Sequence, residues 1–279
     1  MVNHAGLQGG SSLDADPGIA PESLTAWRER CLSWQRRDLH HALARVTFIA
    51  DVTTLAEDCC FAGDERTLVA RYDGLPFPAV AFHTWAENGD VPRRLTALTR
   101  RLVSPGETFA CLVAEQEWPL LQEAYQVLEV HPEWQMVFRA DLSGLDPGAA
   151  VPLRPWHLEE MRALAQSEDM MAFERDPLSR GPWYGAWADG RLVAQGGTHL
   201  VLDRAAEIGN VVTARKHRRR GYGTQVVAAL LQGLRSQECA AFLHVLEENE
   251  AALAFYEHLG FARQRTMILA QCRVEAYAG

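Results

Sequence analysis

Apolar runs of two kinds alternate along this chain: β-branched stretches of five to seven residues, and longer aliphatic stretches with helical spacing. Leu24, Trp27, Cys31 and Trp34 stand three or four residues apart, so residues 21–45 predict one helix or two short ones. The runs 68–72 and 78–82 predict strands joined by a turn at Asp73-Gly74. A basic helix over 93–102, a strand over 109–113, a helix over 118–128 and a strand over 134–138 follow. Residues 141–148 are rich in Asp, Gly and Pro, which break both kinds of element and predict a linker. Beyond it come a short strand at 151–155, a helix at 157–166, and a hairpin of 183–187 with 192–198 across Asp189-Gly190. The rest reads as strand 207–213, helix 225–234, strand 241–246, and a Glu- and Ala-rich helix stopped by Gly260. This order predicts an α/β chain with a mixed sheet.

Candidate chemistry concentrates where the strand at 207–213 meets the helix at 225–234. The turn between them reads Arg218-Arg219-Arg220-Gly221-Tyr222-Gly223-Thr224, with Arg215 and Lys216 just before it. Glycines at such a turn let the backbone approach a ligand, and the helix N-terminus behind them favours an anion. A Walker-A loop is excluded because no Lys follows Gly223. A dinucleotide fingerprint fails because Val226 stands where its third glycine belongs.

The pattern Arg218-x-x-Gly221-x-Gly223 resembles the acyl-CoA pyrophosphate loop of the GNAT superfamily of N-acetyltransferases. About 30 residues downstream, Asn249-x-x-Ala252-x-x-Phe255-Tyr256-x-x-x-Gly260-Phe261 resembles that family's second hallmark segment. The resemblance covers residues 151 to about 270 and implies a GNAT acyltransferase fold. It further implies that acetyl-CoA is the acyl donor, with its pyrophosphate on the amides of Arg218, Arg219, Arg220, Gly221, Tyr222, Gly223 and Thr224. The pantetheine would pair with Val211, Val212 and Thr213, while Asn249, Ala252, Phe255 and Tyr256 complete the cofactor site. The strand at 207–213 would be splayed from its neighbour, with Gly209 or Asn210 marking the irregularity. An N–H there would polarise the thioester carbonyl.

By the same resemblance, Tyr256 would protonate the departing CoA thiolate. Glu207, eleven residues before Arg218, is the candidate general base, with His199 and His244 as further candidates because imidazole titrates near neutrality. Met170, Met171, Phe173, Trp183 and Tyr184, with Glu168, Asp169, Glu174 and Asp176, are the expected acceptor wall. No metal site is expected.

An offset of 131 residues lays 109–130 on 240–261, both strand, loop and helix, with Tyr125 on Tyr256. The first half has no Arg-x-x-Gly-x-Gly, and its nearest counterpart, residues 93–101, contains no glycine. Two tandem GNAT-like domains are therefore expected: a degenerate one over 21–143 and a catalytic one over 151–279, with 144–150 as linker. An unrelated α/β first domain is the alternative. The expected activity is acetyl transfer from acetyl-CoA to a primary amine of a small molecule or protein by direct attack. A non-catalytic acyl-CoA-binding or regulatory protein is the alternative.

Composition narrows the picture little further. The 279 residues suffice for two ordinary domains, and 48% are hydrophobic, enough for a sizeable core. A net charge of −9 argues against nucleic acid as a partner and accords with a cationic acceptor. No run is long and apolar enough to span a membrane, and the first 20 residues, rich in Gly, Ser, Asp and Ala, read as loosely attached. Six cysteines without C-x-x-C spacing suit reduced thiols in the cytoplasm. Monomer and homodimer both stay open.

Overall fold

The computed structural model describes residues 21–85, 90–170, 173–174 and 176–274. The leading segment expected to be loosely attached, and Met171 of the expected acceptor wall, lie outside them. The first half opens with three helices, α1 (Pro21–Arg37), α2 (Leu39–Leu43) and α3 (Val46–Thr53). They are followed by β1 (Cys59–Gly63), β2 (Thr67–Tyr72), β3 (Ala79–Thr84), α4 (Val91–Thr99), β4 (Thr108–Ala114), α5 (Trp118–Ala124) and β5 (Gln126–Phe138). The second half runs β6 (Val151–Pro152), α6 (Leu158–Ser167), β7 (Trp183–Ala188), β8 (Arg191–Val201), β9 (Ala205–Thr213), α7 (Tyr222–Ser236), β10 (Ala240–Leu246), α8 (Glu250–His258) and β11 (Phe261–Arg273).

The eleven strands of the described residues form one sheet, in the order β1-β2-β3-β4-β11-β5-β10-β9-β8-β7-β6. The order shows an exchange. β11, the last strand of the second half, lies between β4 and β5 of the first. β5 in turn pairs antiparallel with β10 of the second. Each half therefore completes the other's sheet. The parallel contacts, β3 with β4 and β9 with β10, sit symmetrically on either side of the central β5–β11 pair.

Two segments depart from the reading of the sequence. The helix expected over 118–128 ends at Ala124, because Tyr125 turns extended (φ −133°, ψ 153°) and sets its hydroxyl 2.7 Å from that of Thr99. The chain then enters β5, far longer than the predicted 134–138. β11 had no counterpart in the prediction: Arg263, Gln264 and Arg265 interrupt its apolar alternation, and the register with β5 shifts between Arg263 and Arg265.

Two core clusters matter for function. Val226, Val227, Leu230, Leu231 and Leu234 press one face of α7 onto Ala206, Ile208, Leu243 and Val245 of β9 and β10. Burying each such aliphatic side chain contributes about 1.5–3 kcal/mol, which anchors the helix whose first turn carries the glycine loop. On the other side, α1 to α3 contribute Trp27, Cys31, Phe48, Ile49 and Val52 to a cluster that also holds Leu200, Leu202, Ala205 and Phe242. The first half's helices thus cover strands of the second.

Candidate active site

β9 and β10 pair only through Ala205–Glu207 and Ala240–Phe242. Past Glu207 they part, and β9 continues to Thr213 beside β8 alone. The cause is local: Asn210 has left-handed φ (54°), and the β8–β9 register slips between Gln195 and Gly197, a bulge that turns β9 away. Asn210, one of the two residues singled out for an irregularity, occupies it. The wedge between the parted strands opens on α7 and α8.

A groove of about 450 Å³ fills this wedge. Its lining includes Val211, Val212 and Thr213 from β9, Arg218, Arg219, Gly221, Tyr222, Gly223 and Thr224 from the loop, and Asn249, Ala252, Phe255 and Tyr256 from the α8 end. Of the predicted cofactor residues, Arg220 alone is outside this lining, and it is exposed. His217 and Ala251 line it in addition, neighbours of motif residues rather than motif positions.

The loop is shaped for an anion. Arg219 and Gly221 both have positive φ (58° and 85°), which turns successive amides toward one side ahead of the first turn of α7. Only glycine takes such a φ without cost at position 221. At 223 the requirement is space: a Cβ there would lie 3.2 Å from Thr213 Oγ1 and 3.6 Å from Phe255. The basic side chains divide the work. Arg218 donates to the Thr213 carbonyl (3.0 Å) and to Glu168 (2.6 Å), and the backbone N–H of Arg215 also donates to Glu168 (3.0 Å). These contacts brace the loop, leaving Arg219 as an arginine that lines the groove without a bracing contact of this kind.

Asn249 caps α8, its Oδ1 accepting from Ala252 N–H at 3.1 Å, while also facing the groove. Tyr256 is 9% exposed and packs edge-on against Phe255 and Phe261. Burial pushes its hydroxyl well above the usual phenol range, so it stays protonated across physiological pH.

Glu207 stands at the apex of the wedge, 7% exposed, and lines a second cavity rather than the groove. Its carboxylate lies 2.8 Å from His244 Nδ1 and 3.4 Å from His199 Nδ1. His199 Nε2 in turn lies 3.3 Å from buried Glu174. Gln135, on exchanged β5, donates from Nε2 to the Leu43 carbonyl (2.8 Å) and sets the same amide nitrogen 3.1 Å from His244 Nε2. That arrangement suits an imidazole donating from Nδ1 to Glu207. Burial pushes the Glu207 carboxyl up, but the two imidazoles and their hydrogen bonds outweigh it and hold it well below the usual range. Burial lowers both histidines, and the neighbouring carboxylates more than offset this and raise them. The three candidate bases thus form one cluster.

The described residues of the expected acceptor wall line neither the groove nor the second cavity. Phe173 packs on Trp183 (5.7 Å) in a small core with Leu153 and Met161, and Tyr184 packs toward Gly233. Glu168 and Asp169 are engaged with Arg215. Among the described residues of that set, only Glu174 reaches the base cluster.

A parallel-strand wedge, a glycine loop on a helix N-terminus and a buried tyrosine lining the groove form a site suited to a phosphate-bearing ligand. Residues 150–261 match the model of the acetyltransferase (GNAT) family. An uncharacterized N-acetyltransferase of Bacillus subtilis (strain 168), YobR, is 37% identical over 67 residues, which is 24% of this chain and 27% of that protein. The chain thus matches about a quarter of that relative's length. Among solved structures, an acetyltransferase of the GNAT family from Novosphingobium aromaticivorans covers 84% of this chain and 99% of its own (TM-score 0.68, 23% identity). A tandem GNAT protein from the clavulanic acid biosynthesis pathway covers 91% and 96% (TM-score 0.65, 16% identity). Residues 150–261 thus match the GNAT family model, and the chain as a whole shares the fold of these solved GNAT structures.

Proposed function

We propose that this protein transfers an acetyl group from acetyl-CoA to a primary amine by direct attack, using one cofactor site, in its second half. The observation that carries this reading is the groove itself. It runs unbroken from the positive-φ loop, past the unpaired edge of β9, to Tyr256. In this reading the pyrophosphate rests on the amides of residues 219–224 with Arg219 beside them, and the pantetheine extends β9 at Val211 to Thr213. An N–H at the Asn210 bulge polarises the thioester carbonyl.

The chemistry balances as follows. The acceptor ammonium gives one proton to the Glu207–His244–His199 cluster and becomes a nucleophile. Its nitrogen forms a bond to the thioester carbonyl carbon, the tetrahedral adduct loses a second nitrogen proton, and the C–S bond breaks. Tyr256 gives its proton to the leaving sulfur and recovers one of those released, so one proton goes to solvent per turnover. Glu207 is the member of the cluster nearest the wedge, and the histidines spread the charge it receives.

The test is release of CoA thiol from acetyl-CoA in the presence of a panel of primary amines. Amine-dependent release is expected. Binding of acetyl-CoA without release in the presence of any amine would sink the enzymatic reading and favour a binding or regulatory protein.

A further inference from the structure

The second cavity, of about 270 Å³, continues the line of the groove along β9: residues 207–210 face the cavity and 211–213 face the groove. The two therefore lie next to one another along β9, at the step from Asn210 to Val211. Most of the second cavity's wall comes from the other half of the chain. Thr47, Asp51 and Leu55 descend from α3 and its end, Tyr72 closes β2, Leu75 and Phe77 come from the β2–β3 connection, and Ala79 to Ala81 with Ala110 and Leu112 come from β3 and β4. Glu133 arrives on exchanged β5.

Resting on the acetyltransferase reading above, we propose that this inter-half cavity is the acceptor site and that it admits a compact, largely apolar monoamine. The apparently degenerate first half is then the element that selects the acceptor.

Three observations support the assignment. Position comes first, because a nucleophile there would lie next to the Asn210 bulge and Glu207, on the far side of the wedge from the CoA groove. Size comes second. At about 270 Å³ the cavity falls just under the 300–1,000 Å³ of sites for drug-sized ligands. It suits a small amine better than a polypeptide segment. Chemistry comes third. Leu55, Leu75, Phe77, Val80 and Leu112 make much of the wall apolar, whereas Asp51, Glu133 and Glu207 supply carboxyls beside His199 and His244, and among the described residues no lysine or arginine lines the cavity. A single ammonium has partners in Glu133 and Glu207, which act on one another, while a second charge on the ligand would be stranded against the apolar wall. Burial pushes Asp51 up to about 8, so its ionised form gains most when a cation comes beside it.

The experiment uses the full chain and three probes: 2-phenylethylamine, spermidine and a lysine-containing octapeptide. Binding is measured by calorimetry and transfer by thiol release, in wild type and in two variants that fill the cavity, Ala110→Phe and Leu75→Trp. Leu75 is in a half-buried turn, so this second variant keeps the test usable if the strand substitution unfolds the protein. The expected result is that 2-phenylethylamine is bound and acetylated in preference to the other two. Each folded variant then raises its KM at least tenfold and leaves the affinity for acetyl-CoA unchanged. Preference for spermidine or the peptide, or an unchanged KM in both variants, would overturn the proposal even if acetyl transfer is robust. Binding of 2-phenylethylamine that the variants abolish, with no transfer in wild type, would uphold the cavity and overturn the acetyltransferase reading instead.

Discussion

At the scale of single residues, the site pairs a buried tyrosine hydroxyl with a buried charge cluster, and each has its own signature. Tyr256→Phe removes one hydroxyl from a packed ring. Its expected effect is a fall in kcat of about 10²-fold, the lower end for general acid–base groups, with acetyl-CoA affinity unchanged. Glu207 acts on stability as well. Its depressed carboxyl contributes stability present above the unfolded value near 4.5 and lost as pH falls toward the folded one. The raised imidazoles of His199 and His244 contribute stability present below their unfolded value of 6.5 and lost as pH rises through the folded ones. Glu207→Gln should therefore lower Tm most at about pH 5–6.5 and less on either side, as thermal melts across a pH series would show. A Tm difference that does not vary with pH would dissociate Glu207 from the histidines. Asp51 has the opposite sign: its folded value lies above the unfolded 3.8, so the ionised unfolded chain gains as pH rises toward about 8. Asp51→Asn should stabilise the protein at pH 8–9 relative to pH 5. Most groove residues were legible in the sequence because they sit in or beside one of two short motifs. Glu207, His199 and His244 were legible singly and not as a cluster. Gln135, which links Leu43 to His244, joins residues 92 and 109 positions away, and no local pattern carries that information.

At the scale of elements, the decisive structure is the strand–loop–helix unit from β9 to α7. Its helix is held by aliphatic burial, its loop by Glu168, and its anion-facing geometry by two left-handed residues. Gly221→Ala should cost about 1–2 kcal/mol in stability, the penalty for a side chain in that conformation. It should also weaken acetyl-CoA binding by about tenfold by turning the amides aside, with both effects read by calorimetry and thermal melts. Wild-type affinity in Gly221→Ala would show that the loop amides are not the phosphate site. Most elements of this half were predicted within a few residues, because their helical and strand periods are clean. β11 escaped because three polar residues and a bulge lie at its start, and the length of β5 escaped because a helical run leads directly into it. Both are strands whose partners lie in the opposite half, so the pairing that stabilises them has no local signal.

At the scale of the whole molecule, the exchange of β5 and β11 makes the halves interdependent. A chain of residues 144–279 alone would leave β10 without β5 and β11 without both its neighbours, exposing long unpaired edges. Such a fragment should show no cooperative unfolding transition, whereas the full chain should melt in one. A fragment that folds and binds acetyl-CoA by itself would contradict the interdependence. Arg180 adds a smaller tie, reaching from the second half to Asp58 (2.7 Å) and the Tyr72 hydroxyl (3.0 Å) of the first. The sequence repeat pointed to two related halves but not to the exchange, which depends on which strand edges meet in space. The account as a whole rests on acetyl transfer from CoA held in the β9–α7 groove with Tyr256 at the sulfur. The rate of thiol release from acetyl-CoA with 2-phenylethylamine, wild type against Tyr256→Phe, tests it most directly. Amine-dependent release that falls about 10²-fold in the variant is the predicted result; equal rates in the two proteins would contradict it.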